Sequence, residues 1–209
     1  MVKRALIILF AIGLALLIAL AAFAAYCDWS IRAEPDEQLG GLCGDELIPE
    51  PLAMVTHAIT IRRNAGGVWP WLVQMGSGRA GWYAYGFIDN GGRPSAERIL
   101  PEFQKIGVGT VFPALPGVKD VFVVVRAEPA RCLVLSWRSP NGTYLTSWAF
   151  VLEEPAPSLT RLIVRGRVAP AYRPYGLPLW LVRLTAPRAH AIMERKQLLG
   201  IKRRAEAAP

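Results

Sequence analysis

The stretch that decides the fold is residues 144–168, YLTSWAFVLEEPAPSLTRLIVRGRV. It contains two strand-like runs, 144–152 and 160–168, with a proline-containing turn at 155–157 between them. A short turn between two successive strands predicts an antiparallel hairpin. The sequence therefore predicts that this half of the chain builds an antiparallel sheet.

The side chains of this hairpin alternate between two faces, because residues two apart in a strand point to the same side of the sheet. One face of the first run carries Thr146, Trp148, Phe150 and Leu152. In the second run, one face carries Leu162, Val164, Gly166 and Val168, and the other carries Arg161, Ile163, Arg165 and Arg167. Three arginines predict that their face is in water, and the opposite face needs a cover.

The remaining elements extend the sheet and supply the cover. Strand-like runs at 55–62, 121–126 and 132–138 add to the hairpin, and 110–115 predicts an edge strand because Pro113 cannot donate to a ladder. Residues 68–75 and 82–88 predict two short helices. After Pro187, apolar residues fall at helical spacing, so the C-terminal segment predicts the helix that covers the sheet.

The N-terminus carries an apolar run, residues 5–25, that no charged or amide side chain interrupts. A helix of this length crosses a hydrocarbon core of roughly 30 Å. Lys3 and Arg4 precede it, and the next basic residue is Arg32, so the sequence predicts a cytoplasmic N-terminus and an extracytoplasmic domain. A cleavable signal peptide is the alternative, because residues 22–24 (AFA) match a cleavage site.

The resulting organisation has four parts. Residues 1–4 form a short cytoplasmic segment, 5–25 a transmembrane helix or signal peptide, 26–54 a linker that spaces the domain from the bilayer, and 55–206 the domain. The linker is rich in Pro, Gly, Asp and Glu and shows no sustained period.

Charge and cysteines limit the classes of partner. The chain carries a formal charge of +8, but no dense basic block with interleaved aromatics, so no nucleic-acid partner is predicted. The three cysteines lack CxxC spacing, which argues against a zinc site. Cys132 lies in an apolar run and is interpreted as a core residue. Cys27 and Cys43 could pair in an oxidising compartment.

Several phrases of the sequence resemble a bacterial, membrane-anchored branch of the START/Bet v 1-like superfamily, also called SRPBCC or polyketide cyclase/dehydrase-like. They are GDELIP (44–49), AITI (58–61), VWPWLVQMG (68–76), RAGWYAY (79–85), SWAFVL (147–152) and MERK (193–196). The resemblance implies an α+β helix-grip fold, in which a curved antiparallel sheet surrounds a long C-terminal helix. The branch often carries Asp-Trp-Leu-Glu-Asn where this chain has GFIDN (86–90), so a role for that stretch is in doubt.

The resemblance also implies an apolar cavity between sheet and helix. We expect it to be lined by the aromatic residues and the methionine that the predicted elements bring inward, namely Trp71, Trp82, Tyr83, Tyr85, Trp137, Trp148, Phe150 and Met193. The predicted function is binding or transport of a hydrophobic small molecule or lipid at the membrane, with no cofactor, no metal and no assigned catalytic residue.

Two alternatives stay open at this stage. One is a cyclase or dehydrase-like enzyme, for which Glu97, His190 and Glu194 are the candidate acid or base groups. His190 and Glu194 are four residues apart on the predicted helix, and a surface pair is the plainer interpretation. The other alternative is a structural or interaction domain that displays a basic surface to the membrane.

Overall fold

The strands of the computed structural model form one six-stranded antiparallel sheet, and the structure describes residues 2–118, 121–172 and 178–208. The strand order is β1-β6-β5-β4-β3-β2. The strands are β1 (Ala53–Ile61), β2 (Val111–Pro113), β3 (Val121–Glu128), β4 (Cys132–Ser136), β5 (Thr146–Ala156) and β6 (Leu159–Val168). The helices are α1 (Val2–Ser30), α2 (Pro35–Leu39), α3 (Ala65–Val73), α4 (Gly86–Asp89) and α5 (Leu179–Ala207). Met1 of the predicted cytoplasmic segment lies outside the described residues.

This architecture confirms the predicted helix-grip fold: two short helices follow β1, four longer strands run in hairpin order, and a long C-terminal helix packs against the sheet. The edge position of β2 is confirmed as well. Helix α3 begins after Asn64, whose side chain accepts a hydrogen bond from the Gly67 amide. Pro70 lies within this short helix without ending it.

The face of the sheet toward α5, which we call the inner face, carries the main apolar core. Its buried side chains come from the alternation that the sequence predicts on β5 and β6 and from α3 and α5, and they include Leu72, Phe150, Leu152, Leu162, Val164, Leu198 and Ile201. Burying an apolar side chain of this size contributes about 1.5–3 kcal/mol. The inner face therefore supplies most of the hydrophobic stabilisation.

The cover of the inner face is uneven, and the register across β1, β6 and β5 shows where it ends. Phe150, Val164 and His57 form one transverse row and are all buried. The next row, Trp148, Gly166 and Val55, is only half-buried. Beyond it, Thr146, Val168 and Ala53 are also half-buried. The grip is closed at one end and half-covered at the other.

The opposite face, which we call the outer face, is not in water as the arginine pattern predicts. It is covered by residues 31–48, which we call the outer strap. Arg165 is only 2 % exposed and donates hydrogen bonds to the carbonyls of Glu37, Gln38 and Gly40. It also pairs with the Asp45 carboxylate at 2.7 Å.

The outer strap is held at further points. Arg161 binds both carboxylate oxygens of Glu37, at 2.6 and 2.8 Å. Gly44 has φ +92°, and a Cβ there would lie 2.8 Å from a Val134 methyl carbon, so this close approach requires glycine. The expectation that residues 26–54 only space the domain from a bilayer is therefore corrected: long-range polar contacts fasten the segment to the sheet.

The disulfide connects Cys43 to Cys132 and thus joins the outer strap to β4. The pairing of Cys27 with Cys43, which the sequence left open, does not occur: Cys27 is a free cysteine buried on α1, whereas the outer strap carries Cys43 onto the sheet. Cys132 is buried, as predicted for a core residue, but it faces outward with Val134 and Ala149.

Helix α1 is long and apolar enough to cross a membrane by length and composition, a test that a signal sequence also passes. It continues past the apolar run to Ser30, and it packs on α5, where Arg195 binds Ser30 and Tyr26; Ala24 and Cys27 of its last turns are both buried. The apolar helix thus enters the domain without an intervening flexible link.

Candidate functional site

A cluster of ionisable side chains lies on the inner face at the border between its closed and half-covered parts. Glu194 projects from the middle of α5, and its side chain is 1 % exposed. His57 reaches it from β1, and His190 lies one helical turn before it. Asp28 and Trp148 complete the cluster from α1 and β5.

Both carboxylate oxygens of Glu194 have partners. Trp148 donates its indole Nε1–H to Oε1 at 3.1 Å. Oε2 contacts Nδ1 of His57 and lies 3.2 Å from Nε2 of His190. That histidine nitrogen is itself buried, and its approach to Glu194 does not have the geometry of an ordinary hydrogen bond.

His57 lies between two carboxylates. Its Nδ1 meets Glu194, and its Nε2 lies 3.1 Å from Oδ1 of Asp28. Burial lowers the pKa of His57, but the hydrogen bonds and negative charges of Glu194 and Asp28 outweigh burial and raise the pKa above its ordinary value. In the absence of another cation, the ring is therefore favoured as an imidazolium that donates to both acids.

The pKa of Glu194 shifts in the opposite direction to that of His57. Burial raises the pKa of this carboxyl, but the interactions with His190 and His57 outweigh burial and hold the pKa well below its ordinary range. A buried carboxylate is costly unless paired and hydrogen-bonded, and here both conditions are met. Glu194 therefore stays ionised in the buried space between the sheet and α5.

Aromatic rings surround the cluster on the side of the half-covered end. Trp148 stacks on Trp82 at 5.4 Å between ring centroids and contacts Phe122 at 5.4 Å and Phe150 at 4.9 Å. The ring of His190 lies edge-on to Trp148 at 6.1 Å. A polar group at the edge of an apolar, aromatic surface is the usual composition of a small-molecule site.

The predicted lining residues divide into two groups. The first group is buried in the main core and consists of Trp71, Trp82, Tyr83 and Phe150. The second group is half-buried and consists of Tyr85, Trp137, Trp148 and Met193. Tyr83 is fixed in the core by polar contacts, since its hydroxyl accepts a hydrogen bond from Gln74 and donates to the Trp71 carbonyl.

Two surface grooves lie apart from this cluster. One, of about 560 Å³, runs between α5 and the loop before Ser95, and its walls carry Arg195, Lys196, Arg203 and Arg204. The other, of about 430 Å³, lies beside Asn90 and Pro116. Of the eight predicted lining residues, only Tyr83 borders either groove.

The structure brings together two of the three acid or base candidates and separates the third. His190 and Glu194 form the expected pair, but Glu194 is buried rather than on the surface. Glu97 is exposed and pairs with Arg203 and Arg204, so it lies outside the cluster. His57 was missed, although its place in the alternation Val55, His57, Ile59, Ile61 shows a polar side chain on the apolar face of β1.

Comparisons with known proteins give distant similarities in fold. No protein-family model matches the chain, and no curated protein matches it. A Mesorhizobium loti protein is 17 % identical, with 75 % of this chain and 99 % of that one covered and a TM-score of 0.46. A polyketide-cyclase-like protein from Corynebacterium glutamicum is 19 % identical, with 75 % and 92 % covered and a TM-score of 0.44. An Enterococcus faecalis protein of unknown function is 14 % identical, with 70 % of each chain covered and a TM-score of 0.43.

Proposed function

We propose that the protein is a membrane-tethered helix-grip domain that binds a hydrophobic small molecule or lipid at the half-covered end of its inner face. The observation that carries the proposal is the burial gradient along the inner face, which falls from the Phe150 row to the Trp148 row. An apolar surface that the protein leaves half-covered gains free energy when a second apolar body covers it.

The aromatic residues at this end have the right chemistry for such a contact. Trp148, Phe122 and Trp137 are all half-buried, and Trp137 packs edge-on against Tyr172 at 5.4 Å. Of the predicted lining residues, we therefore retain Trp137 and Trp148 for the binding surface, and Tyr85 and Met193, which are also half-buried, stay predictions. Trp71, Trp82, Tyr83 and Phe150 serve the packing beneath it.

The position of α1 supports access from a membrane. Asp28, only three residues beyond the apolar run, contacts His57 in the row next to Trp148. An apolar molecule leaving a bilayer along α1 would meet the half-covered end within a short distance. The packing of the last turns of α1 on α5, where Arg195 binds Ser30 and Tyr26, favours retention of this helix as an anchor rather than its removal.

We place the domain on the extracytoplasmic side. The basic residues Lys3 and Arg4, which lie just before the apolar run, support this orientation because basic residues favour the cytoplasmic side. The Cys43–Cys132 disulfide fits an oxidising compartment. Protease added to spheroplasts of a bacterial host that expresses the full chain should digest the domain. Protection of the domain until the membrane is permeabilised would overturn the orientation without touching the binding proposal.

Quenching by 9,10-dibromostearate tests the binding site. The full chain is held in amphipol, and tryptophan fluorescence is followed as the brominated fatty acid is added. We expect saturable quenching that Trp148→Phe reduces markedly. The matched control is Trp69→Phe, which removes another half-buried tryptophan, on α3. This substitution should leave the saturable quenching by the bound fatty acid unchanged. Equal effects of both substitutions, or quenching that never saturates, would overturn the proposal.

A second candidate is an enzyme of the cyclase or dehydrase type, favoured by the buried His57–Glu194 pair next to Trp148. Such a pair can move a proton at the edge of a bound substrate. Mass spectrometry of molecules extracted from the purified wild type and from Glu194→Gln distinguishes the two functions. A binding protein should carry the same molecule in both forms, whereas an enzyme should accumulate its substrate in the variant.

A further inference from the structure

We propose that His57, His190 and Glu194 form a binding site for a divalent transition-metal ion of the zinc class. Each residue offers one ligand atom, and the three atoms all lie within 4.8 Å of one another. This proposal is independent of the hydrophobic ligand, since it rests on a different set of atoms.

The distances between the candidate ligand atoms suit the binding of one ion. Zinc binds imidazole nitrogen and carboxylate oxygen at about 2.0–2.2 Å, so two ligand atoms on one ion lie about 3.3 Å apart in tetrahedral geometry. Oε2 of Glu194 and Nε2 of His190 are separated by 3.2 Å. Nδ1 of His57 is the third atom around the same oxygen. Because this nitrogen is in direct contact with Oε2, His57 must move away from Glu194 for an ion to bind all three atoms.

The atoms behind the ligands are arranged as in a metal site. A ligating histidine usually gives its other ring N–H to a carboxylate, which fixes its tautomer and orientation. Asp28 accepts in this position from Nε2 of His57, at 3.1 Å, and leaves Nδ1 for the ion. Trp148 donates to Oε1 of Glu194 and leaves Oε2 free to ligate. Both supporting partners come from elements other than those of the residues they orient.

The surroundings of His190 are compatible with a metal ligand. Its Nε2 is buried and approaches Oε2 of Glu194 at 3.2 Å without hydrogen-bond geometry. Buried polar atoms in native proteins normally have a well-formed partner, and a metal ion between the two atoms would supply one. The facing strand β6 has glycine at 166, so no side chain lies between this strand and the nitrogen; a Cβ there would be in ordinary van der Waals contact with it, at 3.8 Å.

The ligand set indicates the class of ion. Two imidazoles and one carboxylate suit zinc and its neighbours, and three protein ligands with one open position are typical of zinc sites that act on substrates. An ion here would lie at the border of the aromatic surface, because Trp148 is hydrogen-bonded to one of its ligands.

Cobalt substitution tests the site directly. The full chain is purified in detergent through a tag that needs no metal column, stripped with a chelator, and titrated with Co²⁺. We expect the visible absorption of tetrahedral Co²⁺ to saturate near one equivalent and to be displaced by Zn²⁺. His190→Ala should abolish the band; its side chain is 34 % exposed, so the fold should tolerate the change, which a thermal melt checks.

A milder variant keeps the proposal testable if His190→Ala unfolds. Asp28→Asn should weaken Co²⁺ binding by about 10- to 100-fold, the usual effect of losing a supporting carboxylate. The matched control is Asp36→Asn, an exposed aspartate on α2, which should leave the affinity unchanged. Absence of a saturable band, or equal affinities of the two aspartate variants, would overturn the metal site and leave the hydrophobic-ligand proposal standing.

Discussion

The two faces of the sheet differ in the kind of contact that dominates their cover, although two small apolar clusters, around Ile163 and Val134, lie under the outer strap as well. The inner face packs apolar side chains against α3 and α5, with one ionised cluster at its border. The outer face binds the outer strap through arginine side chains, backbone carbonyls and a disulfide. The inner cover depends on volume, which many apolar residues can supply, whereas the outer cover depends on directed hydrogen bonds that few substitutions preserve.

The largest expected effect on stability comes from removing Arg165, which holds the outer strap. Arg165→Met keeps much of the side-chain length but removes the donor to three carbonyls and one partner of Asp45, which keeps Arg167 and the Leu42 amide. Removing one partner of a buried ion pair costs about 3–5 kcal/mol, which is the upper bound expected here. Denaturation of the full chain in detergent, followed by tryptophan fluorescence, should show that loss. The control Arg62→Met removes an arginine that is 81 % exposed and should change stability by less than about 0.5 kcal/mol.

The second test opens the disulfide. Replacing Cys43 and Cys132 by alanine releases a link between residues 89 apart in sequence, so we expect a loss of about 2–4 kcal/mol in the same assay. In the denatured, unreduced wild type only Cys27 should react with a thiol reagent. Three reactive thiols would contradict the link between strap and sheet.

The third test probes the inner face with a change of similar volume. Leu135→Met alters a fully buried apolar residue of β4 and should cost less than about 1.5 kcal/mol. Arg165→Lys is equally conservative in charge, but it cannot reproduce the fork of donors to the strap and should cost more. If the two substitutions cost the same, the distinction between volume and direction fails.

The smallest expected effect on stability concerns Asp89, a buried acid without an arginine partner among the described residues. Asp89 is 3 % exposed, and neither carboxylate oxygen makes a hydrogen bond of ordinary geometry within the described residues. Burial raises the pKa of Asp89, so the folded state favours its protonated form, and stability falls as the pH rises through that raised pKa.

Asp89→Asn removes this titration. The variant should therefore be more stable than the wild type at neutral pH, and the gain should vanish below about pH 4, where the wild-type carboxyl is protonated in both states. Melting temperatures measured across this pH range give the comparison. The control Glu50→Gln changes an exposed acid and should follow the wild type; a gain that persists at low pH would contradict the explanation.

The sequence predicted the inner face well because strand alternation and helical spacing are local patterns. Trp148, Phe150 and Leu152 lie on one side of β5 as their positions two apart require. The outer strap could not be found in this way, since it has no period and binds through carbonyls that any residue carries. Ile163 was the available signal: an apolar residue among arginines indicates a face that is covered.

The ionised cluster escaped prediction for a similar reason. His57 and Glu194 are 137 residues apart, and only the antiparallel register of β1 with β6, under α5, brings them together. Asp28 was assigned to a linker, because a segment without period gives no indication of what its side chains contact. Long-range electrostatic partners of this kind become visible only when the topology is known.

Because α1 is one continuous helix, it fixes how the domain is rotated about the axis of the apolar segment. One residue inserted between Ala25 and Asp28 would turn the domain, with Asp28 and His57 moving together, by about 100° relative to the preceding part of the helix. A seven-residue insertion, close to two full turns, would nearly restore the original heading at a greater height. The length of this helix therefore determines the direction in which the half-covered end of the domain points relative to the apolar segment.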